Sequence, residues 1–330
     1  MESKLSLSDF DFKLPKHLIA QQPASPRNYA RLLVYDRSLA QISDDYFYNL
    51  DKYLKKGSAI ALNNSKVEKT RLLFEGMEVF VLEVIDSTTI RALVKPGRKF
   101  QKGQTVNLAS SLSATVLAID ELGVRMLKLN CPIDDKRLDS FRHTPLPPYI
   151  KQDDSLDSAY QTVYAKPCGS KAAPTAGLHF SKAQLDALST DHKLIYLTLH
   201  IGLGTFAPVK VDDISLHKMH AEDYSISSAA ANDLNAAGHI TAIGTTTVRI
   251  LETAGRPFYA SDDSTSIFIT PGYKFKAVDS LVTNFHLPRS TLLMLVAALI
   301  GSVEELQQIY AHAVRLQYRF YSFGDAMLIL

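Results

Sequence analysis

Residues 77–95 read MEVFVLEVIDSTTIRALVK, and the way this stretch is taken decides the fold. MEVFVLEVI (77–85) and TIRALVK (89–95) are short runs rich in Val, Ile and other strand formers, parted by turn residues. The same texture returns in QTVNLA (104–109), SATVLAI (113–119) and VRMLKLN (124–130). Short strands at this close spacing indicate a small all-β barrel or sandwich. The pattern ahead of the stretch is different. RLLVYD (31–36) reads as a strand, YFYNLDKYLKK (46–56) as an amphipathic helix and GSAIALN (57–63) as a second strand. Behind it, TPLPPYIKQDD (144–154) carries three prolines, which exclude a regular helix or central strand and suit a crossover linker.

Past that linker, helix and strand patterns alternate again. SLDSAYQTVYA (155–165) and SKAQLDALS (181–189) read as helices, and KLIYLTLH (193–200) as a strand. AAANDLNAAG (229–238), HITAIG (239–244) and TTTVRILETAG (245–255) give helix, strand, helix. SIFI (266–269) and SLVTNF (280–285) look like strands; STLLMLVAALIG (290–301) and VEELQQIYAHAVRLQYRFY (303–321) look like helices. Alternation on both sides of a β segment predicts an α/β main domain with an inserted small all-β barrel domain. The expected bounds are 1–63 and 153–330 for the discontinuous α/β domain and 64–152 for the insertion.

The bulk numbers exclude several function classes. An apolar share of 46% and a charged share of 21% over 330 residues are ordinary for a globular protein with a sizeable core. The net charge of +2 is close to balanced, so no general polyanion binding follows from it. Cys131 and Cys168 stand far apart and form no metal spacing or disulfide framework, which suits a reducing compartment. The start, MESKLSLSDFDF, has no apolar run of the secretory kind. The longest apolar run, near residue 295, falls short of the ~20 residues a membrane span needs. A buried helix capped by Ser290 and a cytoplasmic location are therefore expected. Locally, KPGRKFQK (95–102) holds four cations and no anion around a Pro-Gly turn. Lys95, Arg98 and Lys99, together with Arg71, are candidates to meet RNA phosphates.

The second half concentrates Gly, Thr and His at strand ends and helix starts, where ligands collect in open α/β sheets. AAPTAGLHF brings Gly177 and His179 ahead of a helix, and LTLHIGLGTF ends a strand at His200 and follows it with Gly202 and Gly204. Such glycines allow close backbone approach to a ligand. AIGTTTVRILE runs from strand through Gly244, Thr245 and Thr246 into a helix carrying Arg249 and Glu252. Its free N–H groups could receive an anion, although Arg249 and Glu252 also read as an exposed i,i+3 pair. TNFHLPRST presents His286, and SFGDAM presents Asp325. HKMHAE (217–222) is ambiguous alone: His217 and His220 share a face on a helix, His220 and Glu222 on a strand. No Gly-x-Gly-x-x-Gly, P-loop or Gly-x-Ser-x-Gly is present.

In chain order, YQTVYAKPCGSKAAPTAGLHF, TLHIGLGTF, HKMHAE, GTTTVRILE, IFITPGYKF, TNFHLPRSTLLMLV and RFYSFGDAML resemble the S-adenosylmethionine:tRNA ribosyltransferase-isomerase family of the queuosine pathway. SDFDFKLPKHLIAQQPASPR and PLPPYI extend the resemblance over nearly the whole chain. It departs at NNSKVEKTR (63–71), where Asn64, Ser65, Lys66 and Thr70 replace the family's usual residues, and at Ser266, which stands where an acid usually precedes a strand. The resemblance implies transfer and isomerisation of the ribosyl part of S-adenosylmethionine onto the aminomethyl-deazaguanine base at the tRNA wobble position. The products would be epoxyqueuosine-tRNA, adenine and methionine. It implies no metal and no bound cofactor, because the sulfonium compound is consumed as a substrate.

That chemistry needs a base at the carbon beside the sulfonium and an acid for departing adenine, roles in which His serves well near neutral pH. His220 and Glu222 are expected as an acid/base or orienting pair, with His179, His200 and His286 as competing candidates. Arg249 would hold the methionine carboxylate through a bidentate contact, and Asp325 would accept hydrogen bonds from ribose or base. Gly177, Gly202, Gly204, Gly244, Thr245 and Thr246 would line the substrate site. Two other classes compete: a metal-dependent hydrolase using His217, His220 and Glu222, and a non-catalytic tRNA-binding protein.

Overall fold

The computed structural model describes residues 5–202, 209 and 211–330. The chain divides into two compact units, 1–66 with 147–151 and 158–330, and 67–146 with 152–157. Against the expected insertion of 64–152, the second unit starts three residues later and residues 147–151 belong to the first.

The first unit carries β1 (Arg31–Asp36), β2 (Gln41–Tyr46) and β3 (Ala59–Asn63), with β4 (Lys66–Val67) at its edge. The second unit carries β5 (Arg71–Phe74), β6 (Met77–Val84), β7 (Thr89–Lys95), β8 (Thr105–Ala109), β9 (Leu112–Ile119), β10 (Arg125–Leu129) and β11 (Arg142–His143). The chain then returns to the first unit with β12 (Cys168–Ser170), α1 (Lys182–Asp191), β13 (Lys193–Leu199), β14 (Glu222–Ile226), α2 (Ser228–Ala236), β15 (Ile240–Ile243) and α3 (Thr245–Ala254). β16 (Ser261–Thr265), β17 (Ser280–Asn284), α4 (Thr291–Ile300), α5 (Val303–Arg315) and β18 (Ala326–Ile329) complete it.

Among the described residues, nine strands of the first unit form one sheet in the order β16-β14-β13-β3-β15-β17-β18-β1-β2. β13, β3, β15 and β17 run parallel at its centre. β18 and β1 run the opposite way beside them. Side chains alternate between the two faces, as the strand period of two demands. Ala59, Ala61, Leu281, Met327 and Ile329 enter the core beneath α2–α5. Ile60, Leu62, Val282, Ala326 and Leu328 enter a second core with Phe47, Phe180 and Leu185. β3, β15 and β17 bury both faces, which is why they read as nearly continuous apolar runs in the sequence, whereas β13 leaves Tyr196 exposed.

The expected helix at 290–301 forms. The Ser290 hydroxyl accepts the Leu293 N–H at its start, and Gly301 closes it in the left-handed region at φ +95. The next helix is amphipathic through Leu306, Ile309, Tyr310 and Ala313 but ends at Arg315, short of the expected 321. No helix among the described residues is long and apolar enough to cross a membrane.

Three other expectations fail. Residues 46–56 form only a 3₁₀ helix over Phe47–Tyr53, which turns Phe47 and Leu50 into the core, with Leu54 following them. Residues 155–165 hold no α-helix, only a 3₁₀ turn at Asp154–Leu156. SIFI is not a strand; the pairing edge lies just before it at Ser261–Thr265, against β14. β14, β16 and the terminal β18 were not foreseen: two are short and polar, and AMLI reads equally as a helix end.

In the second unit the strands pair antiparallel in the order β11-β5-β6-β7-β10-β9-β8. Leu72, Phe74, Val79, Val81, Ile90, Ala92, Val116 and Leu127 gather into a separate core.

Candidate functional site

The carboxyl ends of the central parallel strands deliver Asn63, Leu199, Ile243 and Asn284 to one edge of the sheet, the edge where such sheets bind ligands. A cavity of about 110 Å³ opens there. Gly244, Thr245 and Thr246 line it at the start of α3, and Thr283, Asn284 and His286 line it at the end of β17. Pro174, Thr175 and Ala176 form another wall, and Tyr149, Tyr160, Phe285 and Tyr321 supply rings.

Gly244 links β15 to α3 at φ +88, a backbone conformation that a side chain resists. Its turn is held by the Gly244 N–H to Val282 O bond, 2.7 Å. Asn63 is wholly buried behind it. Its amide donates to Leu199 O and Thr246 Oγ1, and its oxygen accepts from the Leu199 and Ser65 N–H groups. This one side chain ties two strand ends to the helix start.

Asn284 donates from Nδ2 to Tyr321 O at 3.0 Å and meets His179 Nε2 at 3.2 Å, which leaves Oδ1 buried and unpartnered among the described residues. His286 Nε2 meets Thr283 Oγ1 at 3.3 Å, and its Nδ1 is likewise buried without a partner. Buried polar atoms are rarely left unsatisfied, since each costs about 1–3 kcal/mol. Two on adjacent lining residues mark places for a ligand's own polar atoms. Burial pushes the His286 imidazole down to about 3 and the His179 imidazole down to about 4. Both rings are therefore neutral at physiological pH. Burial pushes the Tyr149 hydroxyl up to about 12, so it too is uncharged.

Gly244, Thr245, Thr246 and His286 thus meet in the cavity, and His179 lies behind Asn284. Other expected site residues are placed elsewhere. Arg249 and Glu252 are not an exposed pair, because both are buried. Glu252 accepts the N–H groups of Lys276, Ala277 and Val278 and the Tyr273 hydroxyl, anchoring a loop. Where Arg249 was expected to grip a substrate carboxylate, its guanidinium already pairs with Glu222 and donates to Thr265 O. Glu222 also accepts the Gly202 N–H at 2.8 Å. Glu222 and Arg249 therefore form a buried pair one turn along α3 from the cavity-lining threonines, with half-buried Gly202 tied to it. His220 is exposed, two residues before that buried carboxylate.

Asp325 accepts from the Arg31 N–H, the Arg319 N–H and the Arg319 guanidinium. These contacts clamp it to Arg31 and Arg319 within the chain, outside the lining of the cavity, where a contact with ribose or base was expected. Gly177 is also corrected: a Cβ there would sit 2.0 Å from the Tyr164 hydroxyl, so it is a packing glycine. His200 Nδ1 bonds Ser65 Oγ at 2.8 Å and its ring lies over Gly169, while Ile201 is the residue that lines the cavity. Gly204 lies outside the described residues.

Among the described residues no group of three His, Cys, Asp or Glu side chains gathers for a metal. The pairing of Glu222 with Arg249 counts against the rival reading of a zinc set at His217, His220 and Glu222. In the second unit, Lys95, Arg98 and Lys99 are exposed around their turn. Arg71 instead forks onto Glu78 at 2.8 and 3.1 Å and donates to Gln152, so it serves that unit's own structure. Asn63, Asn284 and Tyr321 were missed. Asn is common at strand ends for turn reasons alone, and nothing local distinguishes these two.

A family model described as queuosine biosynthesis protein matches residues 7–329. A protein of Symbiobacterium thermophilum named S-adenosylmethionine:tRNA ribosyltransferase-isomerase is 45% identical over 345 residues, covering 99% of this chain and all of that one. A Thermotoga petrophila protein of the same name is 44% identical over 338 residues, with 99% and 100% covered. A crystal structure of the S-adenosylmethionine tRNA ribosyltransferase of Thermotoga maritima aligns with a TM-score of 0.57 at 35% identity, covering 98% of this chain and 100% of that one.

Proposed function

This chain belongs to the queuosine biosynthesis protein family, and from that premise we propose that it is an S-adenosylmethionine:tRNA ribosyltransferase-isomerase. It transfers the ribosyl group of S-adenosylmethionine to the 7-aminomethyl-7-deazaguanine at the tRNA wobble position and isomerises it. Epoxyqueuosine-tRNA forms, and adenine and methionine leave. S-adenosylmethionine is a consumed substrate and not a resident cofactor.

The observation that carries this reading is the uncharged, aromatic-walled cavity with two unpartnered polar atoms at the carboxyl edge of the sheet. A sulfonium is attracted to aromatic faces, and Tyr149 and Tyr321, with ring centroids 4.6 Å apart, offer such faces without a competing charge. A purine presents an amine beside ring nitrogens. Asn284 Oδ1 can accept from the amine, and the neutral His286 ring can donate from Nδ1 to a ring nitrogen. That hydrogen bond strengthens as negative charge builds on departing adenine, which makes it selective for the transition state.

An imidazole held at about 3 is a poor base for removing a proton from carbon. His286 is therefore assigned to hydrogen bonding, and His200 or His220 is left as the proton acceptor. Glu222 and Arg249 act as positioning residues, holding Gly202 and the start of α3 through one ion pair. We take the second unit as the small β-barrel insertion, supported by its single antiparallel sheet around its own core. Lys95, Arg98 and Lys99 present cations there to RNA phosphates.

Incubation of the protein with S-adenosylmethionine and tRNA carrying the precursor base should release adenine and yield a heavier nucleoside. Adenine release without RNA modification, or neither product, overturns the assignment.

A further inference from the structure

Three tyrosines of the first unit have no part in the site described above. Tyr29, Tyr46 and Tyr48 are 57%, 46% and 42% exposed. The rings of Tyr46 and Tyr48 stack at 5.4 Å with 7° between their planes, and Tyr29 joins Tyr48 at 5.1 Å. One exposed tyrosine needs no explanation, but three in a contiguous ladder form an aromatic surface facing solvent.

The ladder is built rigidly and close to the cavity. Phe47, between Tyr46 and Tyr48, turns inward and is fully buried against Phe180 at 4.8 Å and His179 at 5.0 Å. His179 ends the 3₁₀ turn Thr175–His179, whose Thr175 and Ala176 form a cavity wall. The turn Arg27–Tyr29 packs against that same segment. Two acids stand near the ladder, and both are engaged by the chain. Asp44 takes the Tyr318 hydroxyl and His312, and Asp45 takes Asn49 and Tyr53. Their charge is thus partly spent before any phosphate approaches.

Resting on the tRNA reading above, we propose that Tyr29, Tyr48 and Tyr46 form a stacking platform for unpaired bases of the anticodon loop. Removing a wobble base from its loop deprives the neighbouring bases of their stacking partner. Exposed aromatic rings replace that partner regardless of base identity, because every base has a π-face.

The test compares the triple variants Tyr29→Ala/Tyr46→Ala/Tyr48→Ala and Tyr29→Phe/Tyr46→Phe/Tyr48→Phe with the wild type. The probe is an unmodified anticodon stem-loop RNA, with a fully paired duplex as control. With 15 Tyr and no Trp in the chain, tyrosine emission reports stacking directly. The Ala variant should bind the stem-loop roughly tenfold or more weakly, lose the quenching that RNA causes, and keep the wild-type KM for S-adenosylmethionine and melting temperature. The Phe variant should bind as the wild type does, and duplex binding should be equal in all three. Unchanged stem-loop affinity in the Ala variant overturns the platform, as does a Phe variant as weak as the Ala one. A matching rise in the KM for S-adenosylmethionine also overturns it. If the wild type binds stem-loop through these rings yet releases no adenine, the enzymatic assignment falls and the platform stands.

Discussion

Acidification from pH 7 to pH 5 should destabilise this protein through two buried histidines, before its carboxylates titrate. His179 and His286 are held at about 4 and about 3 by burial, against 6.5 for the free side chain. Between those values and 6.5 the unfolded chain binds protons that the native chain refuses. Stability therefore rises with pH through this window and is lost as pH falls. At pH 5 an unfolded-state histidine is almost fully protonated, so each ring costs about 2 kcal/mol relative to pH 7, and the two together about 4 kcal/mol. His217 and His239 are also pushed down by burial and act in the same direction. The perturbed acids lie lower: hydrogen bonds hold Asp86 and Asp135 at about 2. Urea unfolding at half-unit steps from pH 7.5 to pH 4.5 measures the slope. The double variant His179→Asn/His286→Asn should flatten it by about half or more. An unchanged urea midpoint between pH 7 and pH 5, or a double variant with the wild-type slope, would refute the reasoning.

Three further outcomes follow from the geometry. Glu222→Ala strands the Arg249 guanidinium in the core and should cost about 3–5 kcal/mol; Glu222→Leu/Arg249→Met should recover much of that loss in the same urea titration, and a single-variant loss below about 1 kcal/mol would contradict the buried pair. Gly177→Ala drives a methyl into the Tyr164 hydroxyl and should cost about 1–3 kcal/mol, part of it restored by Tyr164→Phe, with unfolding midpoints as the readout. Dialysis against EDTA should leave adenine release unchanged, because Glu222 faces a guanidinium; loss of activity restored by zinc would reinstate a metal centre.

The strand ends were legible in the chain and the side-chain partnerships were not. β15 and β17 bury both faces, so their apolar runs announced central strands of an α/β sheet. The helix at Ser290 was equally plain, since its cap and its apolar content agree. Residues 46–56 misled because Tyr46 and Tyr48 supply apolar character at the surface, where it stabilises no helix against a core. Asp325 and Gly177 were read as site residues from their neighbours in sequence. Their neighbours in space, Arg319 with Arg31 and Tyr164 with Thr162, became visible only after folding.

What the sequence by itself determined is therefore the family and the α/β class, because ordered motifs and periodicity are local properties of the chain. What only the tertiary structure decided is which side chains meet. Glu222 and Arg249 are 27 residues apart, and His179 and Asn284 are 105 apart. Such pairings are set by how strands cross and pack, and no local pattern encodes a contact over that distance. Whether a histidine is a proton carrier or a neutral hydrogen-bonding group depends on burial, which likewise exists only in the folded molecule.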